Sequence, residues 1–185
     1  IVQGGTLPTL RKECCDRLVT IGFDGYAIGG LGVGEPGELL WENVAVSADH
    51  LPAEKPRYLM GIGTPEDLLE GIALGIDLFD CVLPTRNGRN GQAFTGEGTL
   101  NLRNAAFSND PGPLEAGCSC RACWRYSRAY LHHLLKAKEI LGVRLLTFHN
   151  VHFYLHLMKT ARDALRKGEF ETFRKEALRR LRRFP

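Results

Sequence analysis

The sequence of 185 residues lacks an apolar run near the roughly 18–20 residues that a membrane-spanning helix needs, which argues against an integral membrane protein. It also lacks a basic and apolar leader, so we expect a cytoplasmic location. The sequence has little excess of either charge, because 24 Lys and Arg nearly balance 21 Asp and Glu and leave a net charge of +3. With 44% hydrophobic residues, the composition excludes a disordered chain and is typical of a folded domain.

The excess of positive charge is concentrated near the C-terminal end. Residues 166–185 carry eight Lys and Arg, among them Arg182 and Arg183, against three Glu, which gives this segment a charge of +5. A basic helix indicates an anionic partner such as nucleic acid, but it is also typical of a solvated helical face. Charge alone favours the solvated face.

Short apolar runs alternate with helical patterns over the first 83 residues. Four strands are predicted, at 1–5, 26–30, 58–63 and 78–83. Helices are predicted between them, at 8–20, at 38–49 and after Thr64, where a capping residue precedes Pro65 and two acids. This alternation predicts a parallel sheet of the α/β class, whose functional residues collect at the carboxyl ends of the strands. Three of the four predicted strands end in glycines, which allow a flat ligand to approach the backbone.

The pattern changes after Pro84. Residues 84–91 predict a polar loop, and the segments 92–95 and 99–102 predict a hairpin. Helices are predicted at 130–141, ending at Gly142, and at 151–165, ending at Gly168. We therefore divide the chain into four βα units over 1–90, a hairpin with a metal-binding subdomain over 91–150, and C-terminal helices over 151–185.

Three thiols fall within six residues, at Cys118, Cys120 and Cys123. Three Cys and one His form a set that binds structural zinc and leaves no open position for a reactive water. His149 is the preferred fourth ligand, since it lies on a separate predicted helix and could clamp two elements together. His132 and His133 compete for that place, but both are predicted on the same helix as Cys123.

Asp80 is the candidate catalytic group. It lies between apolar residues on the fourth predicted strand, where a buried carboxylate is costly unless it is paired or used. The pattern leaves two interpretations about even, a catalytic carboxylate and an Asp that caps or pairs in the next turn. Arg86 and Arg89 follow among small polar residues, a composition that suits contacts with a nucleic-acid backbone and equally a solvated loop.

Several of these segments together resemble the tRNA-guanine transglycosylase family. They are FDCVLPTRNGRNG at 79–91, GGLGVGE at 29–35 and the set formed by Cys118, Cys120, Cys123 and His149, and with Gln3 they occur in the order of that family. The resemblance implies a (β/α)8 barrel, here its C-terminal half, with an inserted zinc subdomain. It also implies exchange of the wobble guanine of tRNA for a 7-deazaguanine on the pathway to queuosine.

The resemblance further implies roles for individual residues. Asp80 would attack the ribose and form a covalent intermediate, and Arg86 and Arg89 would contact the anticodon loop. Val33 favours the bacterial type, which takes 7-aminomethyl-7-deazaguanine. The residues implied to bind the base are Gln3, Gly30, Leu31, Met60 and Glu35.

Only four βα units are predicted, whereas a barrel needs eight. We therefore expect the chain to be part of a longer protein and to be inactive by itself. The resemblance also implies a homodimer. The alternatives are a non-catalytic tRNA-binding subunit of the same fold, against which an intact pocket around Asp80 argues, and an unrelated zinc protein with a basic tail.

Overall fold

The computed structural model describes residues 1–181, which form two compact units that divide between Cys81 and Val82. Arg182 and Arg183 of the predicted basic segment lie outside the described residues. The predicted α/β class is confirmed, because helices alternate with the strands of a parallel sheet. Across residues 1–181, no helix combines the length and the apolar character needed to cross a membrane.

The first unit is built on a parallel three-stranded sheet in the order β1-β2-β3. Its elements are α1 (Pro8–Ile21), β1 (Tyr26–Ile28), α2 (Gly37–Asp49), β2 (Arg57–Leu59), α3 (Pro65–Ala73) and β3 (Leu78–Phe79). The first predicted strand is reduced to one parallel bridge between Val2 and Ile28. Thr64 caps α3 as predicted, since its side chain accepts a hydrogen bond from the Asp67 N–H and the Asp67 carboxylate accepts one from the Thr64 N–H. The core contains Val2, Ile28, Val44, Leu59 and Ile76.

The second unit is organised around one long helix. Its elements are α4 (Leu83–Arg89), β4 (Gln92–Thr95), β5 (Gly98–Asn101), a 3₁₀ turn (Ala105–Phe107), α5 (Arg121–Arg125), α6 (Arg128–Lys136), α7 (Ile140–Lys167) and α8 (Phe170–Leu181). β4 and β5 form the predicted antiparallel hairpin. Helix α7 packs against α4, α5, α6, α8 and β4, so it is the element that holds this unit together.

The loop predicted over residues 84–91 is wrong, because the structure has helix α4 there. Pro84 lies in the first turn of α4, where the missing N–H costs no helical hydrogen bond. Gly88 is buried, and a Cβ atom at this residue would lie 2.7 Å from the Thr147 backbone nitrogen in α7. The glycine therefore allows two helices to approach closely, which a propensity argument does not anticipate.

The helix end predicted at Gly142 is also wrong. Helix α6 ends at Lys136, and the chain turns at Lys138, whose φ of 58° is left-handed. Gly142 lies inside α7, where a Cβ atom would come within 2.9 Å of the Leu134 side chain. The end predicted at Gly168 is confirmed, since this residue caps α7 in the left-handed conformation with a φ of 72°.

Candidate active site and metal centre

The three parallel strands end in the residues that the sequence analysis singled out. Ile28 pairs with Leu59, and Leu59 pairs with Phe79, so the residues that follow these three positions meet at one edge of the sheet. Those residues are Gly29, Met60 and Asp80. The carboxyl edge of a parallel sheet is the usual place for a site, because its loops vary without disturbing the strands.

Asp80 is exposed, so the burial predicted for it is wrong. The strand is shorter than predicted and ends at Phe79, which leaves Asp80 on the rim of the sheet. Its Oδ1 atom accepts a hydrogen bond from the Tyr58 hydroxyl at 2.6 Å and another from the Gly61 N–H at 2.8 Å. These two bonds lower the pKa of the carboxyl group below its usual value, with the tyrosine as the larger cause. Among residues 1–181, both recorded hydrogen bonds of this carboxylate end on Oδ1.

Gln3, Gly30 and Met60 are brought together on the same rim. A Cβ atom at Gly30, whose φ is 67°, would lie 2.5 Å from the Gln3 Oε1 atom. A Cβ atom at Gly29 would lie 3.2 Å from the Gln3 Nε2 atom and 3.5 Å from the Met60 sulfur. Glycine at these positions therefore leaves room for the Gln3 amide and the Met60 thioether at the strand ends. Leu31, the next residue, is buried.

Glu35 closes the glycine-rich turn that follows β1. Its carboxylate accepts hydrogen bonds from the Gly32 N–H and, at 3.0 Å, from the Val33 N–H. Burial opposes ionisation of Glu35, but the backbone N–H groups outweigh it and lower the pKa of the carboxyl group. Val33 itself is highly exposed. The acid thus holds the turn by its backbone and leaves the Val33 side chain free.

Arg11 of α1 is a residue of this site that the sequence analysis missed. Its side chain is fully buried, and its Nε atom donates to the Gly5 carbonyl at 2.7 Å. Its Nη2 atom donates to the carbonyls of Gly29 at 3.0 Å and Gly30 at 3.4 Å. Burial lowers the pKa of the guanidinium. An arginine on a helix is ordinarily exposed, so no sequence signal marks this one.

The predicted metal ligands converge in the second unit. The ligand atoms of Cys118, Cys120, Cys123 and His149 all lie within 4.8 Å of one another. The His149 Nδ1 atom is 3.8 Å from the Cys118 sulfur and 3.4 Å from the sulfurs of Cys120 and Cys123. Bonds of about 2.3 Å to sulfur and about 2.1 Å to nitrogen give a tetrahedron with edges of about 3.5–3.8 Å, so the four donors fit one zinc ion.

The surroundings of His149 fix its role as a ligand. Its Nε2 atom lies 2.8 Å from the Phe94 carbonyl, an acceptor, so the ring proton resides on Nε2 and Nδ1 faces the sulfurs. The competing histidines are placed elsewhere, because the His132 Nδ1 atom bonds the Leu102 carbonyl at 2.8 Å and His133 is exposed. Hydrogen bonding from Cys123 and from His149 lowers the pKa of Cys120, which favours the thiolate that a metal requires.

Asn150, the neighbour of His149 on α7, was not singled out from the sequence. It is fully buried, and its Oδ1 atom accepts from the Phe94 N–H at 2.9 Å. Its Nδ2 atom donates to the carbonyls of Pro84 at 2.9 Å and Gln92 at 3.0 Å. One amide therefore ties the start of α4 and the strand β4 to the helix that carries the histidine.

Arg86 and Arg89 lie three residues apart on α4, so both belong to one side of a helix, and both are exposed. Arg89 lines a groove of the second unit together with Arg121 and Arg144. The other residues that line the groove are mostly apolar, with Ile140, Val143 and Phe148 among them. Three arginines therefore line one groove of the second unit.

These features define a mixed α/β chain with a glycine-lined sheet edge and a closed Cys₃His metal site. Comparison with known proteins gives the family, because residues 1–183 match the family described as "Queuine tRNA-ribosyltransferase". The chain belongs to that family, which confirms the resemblance drawn from the sequence.

Three curated relatives carry the same description. The protein of Caldanaerobacter subterraneus subsp. tengcongensis is 54% identical over 180 residues, which cover 97% of this chain and 48% of the relative. That of Desulforapulum autotrophicum is 53% identical over 97% of this chain and 49% of the relative. That of Sphingopyxis alaskensis is 52% identical over 99% of this chain and 49% of the relative. The chain thus spans about half the length of the curated relatives it matches.

Proposed function

We propose that the complete protein containing this chain exchanges the wobble guanine of tRNA for 7-aminomethyl-7-deazaguanine, a step of queuosine biosynthesis. The observation that carries the proposal is the placement of Asp80. Its carboxylate is kept ionised on a glycine-lined sheet edge by the Tyr58 hydroxyl and the Gly61 N–H, with both bonds on Oδ1. An ionised carboxylate with one oxygen held is oriented to present the other to an electrophilic carbon.

The proposed reaction is a double displacement. An Asp80 oxygen forms a bond to the ribose anomeric carbon as the bond to guanine breaks, and the electron pair leaves with guanine, which takes up a proton. The incoming base loses a proton and attacks the same carbon, which releases the carboxylate. Two inversions give overall retention, as in retaining glycosidases. The exposure of Asp80 in the described residues is compatible with attack on a large substrate.

The base would bind where the strand ends meet. Gln3 would bind its polar edge, the backbone of Gly30 and Leu31 would contact the ring, and the Met60 thioether would form one wall. Their proximity on one rim supports this assignment. Glu35 would interact with the aminomethyl group of the incoming base. Val33 favours that base over larger derivatives.

The tRNA would contact Arg86 and Arg89. Their exposure on one side of α4, and the groove in which Arg89 is joined by Arg121 and Arg144, support contacts with phosphates. A reaction at a base requires its nucleotide to leave the stack, and cations at the flanking phosphates hold such a distorted strand.

Zinc would be held by Cys118, Cys120, Cys123 and His149. Four protein ligands leave no position for water, so the ion would stabilise the second unit and take no part in the chemistry. The hydrogen bond between the His149 Nε2 atom and the Phe94 carbonyl, which orients this ligand, supports the structural role.

The remaining features of the proposal concern the complete protein. We place the parallel strands of the first unit in the second half of a (β/α)8 barrel, with βα units over 1–90, the zinc subdomain over 91–150 and C-terminal helices over 151–185. The complete protein would be a cytoplasmic homodimer, and the chain of 185 residues would have no exchange activity alone. The match to about half of each relative supports the view that the chain needs a further part of the protein for exchange. The homodimer and the cytoplasmic location rest on the family resemblance alone.

The test uses the complete protein and the variant Asp80→Asn. Guanine-containing tRNA is added, the mixture is denatured, and a protein–tRNA adduct is sought on a gel, with incorporation of labelled guanine measured in parallel. The wild type and the control Asp24→Asn, at an exposed position, form the adduct, whereas Asp80→Asn forms none and loses exchange by about 1,000-fold or more. An adduct that persists in Asp80→Asn refutes the assignment. A wild type that binds tRNA without any adduct favours the non-catalytic subunit.

A further inference from the structure

Arg11 occupies a position that neither the metal centre nor the proposed nucleophile explains. It is fully buried, and its recorded hydrogen bonds all end on backbone carbonyls of two loops, those at Gly5, Gly29 and Gly30. Its Nη1 atom is buried and has no hydrogen-bond partner among residues 1–181. A buried cation is a poor means of stabilising a fold, since apolar residues of similar size are often as good or better. A role in orienting the carbonyls accounts for the charge.

The two bonds from Nη2 determine which way the following peptide groups face. In a trans peptide the C=O and N–H bonds point in opposite directions, and the described residues contain no cis peptide. Because the carbonyls of Gly29 and Gly30 point at Arg11, the N–H groups of Gly30 and Leu31 point away from it. Within residues 1–181 neither of these N–H groups has a hydrogen-bond partner. Two donors are therefore free on the side of the rim opposite the guanidinium.

Gln3 lies beside the same peptide groups. Its Oε1 atom would lie 2.5 Å from a Cβ atom at Gly30, so the amide sits directly against this peptide on the rim. An amide that both donates and accepts, beside two backbone donors, matches the edge of a neutral purine-type heterocycle with a carbonyl oxygen and a ring N–H.

We propose that Arg11 is a positioning residue for the base: its guanidinium fixes the Gly29 and Gly30 peptide planes, so that the N–H groups of Gly30 and Leu31 are presented to an acceptor of the heterocycle. This inference deepens the proposed function and rests on it. Arg11 touches no substrate, and it acts through the backbone that does. Its loss should therefore weaken binding of the base and leave binding of tRNA unchanged.

The test uses the complete protein and Arg11→Lys, which keeps the charge but loses the planar fork. The matched control is Arg17→Lys on the same helix, whose side chain is 77% exposed and pairs with Glu13. Equilibrium dialysis with labelled guanine gives Kd, and guanine exchange gives KM for guanine, KM for tRNA and kcat. We expect Kd and KM for guanine to rise about tenfold in Arg11→Lys, the effect of about 1.4 kcal/mol. KM for tRNA should stay within about twofold of the control.

Arg11→Ala supplies a second readout, because the position of the lost guanidinium can be filled from solution. Added guanidinium ion should restore guanine affinity by filling the vacated position, whereas tetramethylammonium at the same concentration should not. The inference is overturned if Arg11→Lys binds guanine as tightly as Arg17→Lys, or if both KM values worsen together with a large loss of thermal stability. The inference is equally overturned if neither Arg11→Lys nor Arg11→Ala folds, even when guanidinium ion is added.

The dialysis arm separates this inference from the proposed function. A wild type that binds guanine without exchanging it refutes the proposed function, and the Arg11 inference is then judged on Kd alone. A wild type that binds no guanine at all overturns the Arg11 inference directly.

Discussion

Replacing Asn150 tests the organisation of the second unit most directly. This one buried amide makes three hydrogen bonds, to the Phe94 N–H and to the carbonyls of Pro84 and Gln92, at 2.9–3.0 Å. A buried hydrogen bond contributes about 1 kcal/mol net, and backbone groups left without partners cost about 1–3 kcal/mol each. We expect Asn150→Ala to lower the free energy of unfolding by about 3 kcal/mol, a large part of the stability of a typical domain.

A second substitution at the same position tests the two hydrogen bonds that the Asn150 amide nitrogen donates. Asn150→Asp keeps an acceptor for the Phe94 N–H but turns carboxylate oxygens towards two carbonyls, which raises the pKa of the new carboxyl group. Such a group binds its proton more tightly in the folded state, so its penalty is greatest above that raised pKa and is relieved as the pH falls through it. Relative to wild type at each pH, Asn150→Asp should therefore be less stable at pH 7.5 than at pH 5.5.

Urea unfolding of the zinc-loaded complete protein gives the free energies, and hydrogen exchange at the Phe94 amide gives a local readout. Asn109→Asp is the matched control, because Asn109 is exposed and forms no hydrogen bond within residues 1–181. A loss below about 1 kcal/mol in Asn150→Ala, with unchanged protection of the Phe94 amide, would show that the three bonds do not hold the unit together.

Three further perturbations follow from single contacts. Tyr58→Phe removes the hydrogen bond that lowers the pKa of Asp80 the most. The acid limb of the pH–rate profile of the complete protein should therefore move to higher pH, and a limb that does not move contradicts this. Gly88→Ala places a methyl group against the backbone of α7 and should cost about 1–3 kcal/mol in urea unfolding, whereas Gly37→Ala, with open space around it, should cost nothing. His149→Ala should lower the zinc content from one ion per chain after dialysis against a chelator, as measured by mass spectrometry, and full retention would exclude His149 as a ligand.

The metal site could be predicted from the sequence because its chemistry is local. Three thiols within six residues lie close together because of their spacing in the chain, and only the position of the fourth ligand depends on tertiary structure. His149, and not His132, lies beside the thiols, but the helix predicted to be shared by His132 and Cys123 is wrong, because they lie on α6 and α5. What separates the two histidines is that the His132 Nδ1 atom bonds the Leu102 carbonyl. The order of strands and helices in the first unit was equally accessible, since it follows from hydrophobic runs and helix starts such as Thr64.

The failures occurred where distant partners decide the outcome. The length of β3 depends on how far β2 pairs with it, so Asp80 came out exposed at the rim. Glycine commonly ends helices, so the sequence predicts an end at Gly142, yet its place inside α7 reflects contact with α6. Arg11 gave no signal because its three carbonyl acceptors come from two loops that only the folded sheet brings to α1.

The adjacency of His149 and Asn150 on α7 links the predicted metal site to the start of α4. One of these neighbours points at the thiolates, and the other grips the carbonyl of Pro84 at the start of the helix that displays Arg86. A displacement of His149 along or about α7 would therefore also displace the amide that holds the start of α4. Linkage makes such coupling reciprocal, so zinc in the complete protein would strengthen any binding that depends on the position of α4, and that binding would in turn slow release of the ion.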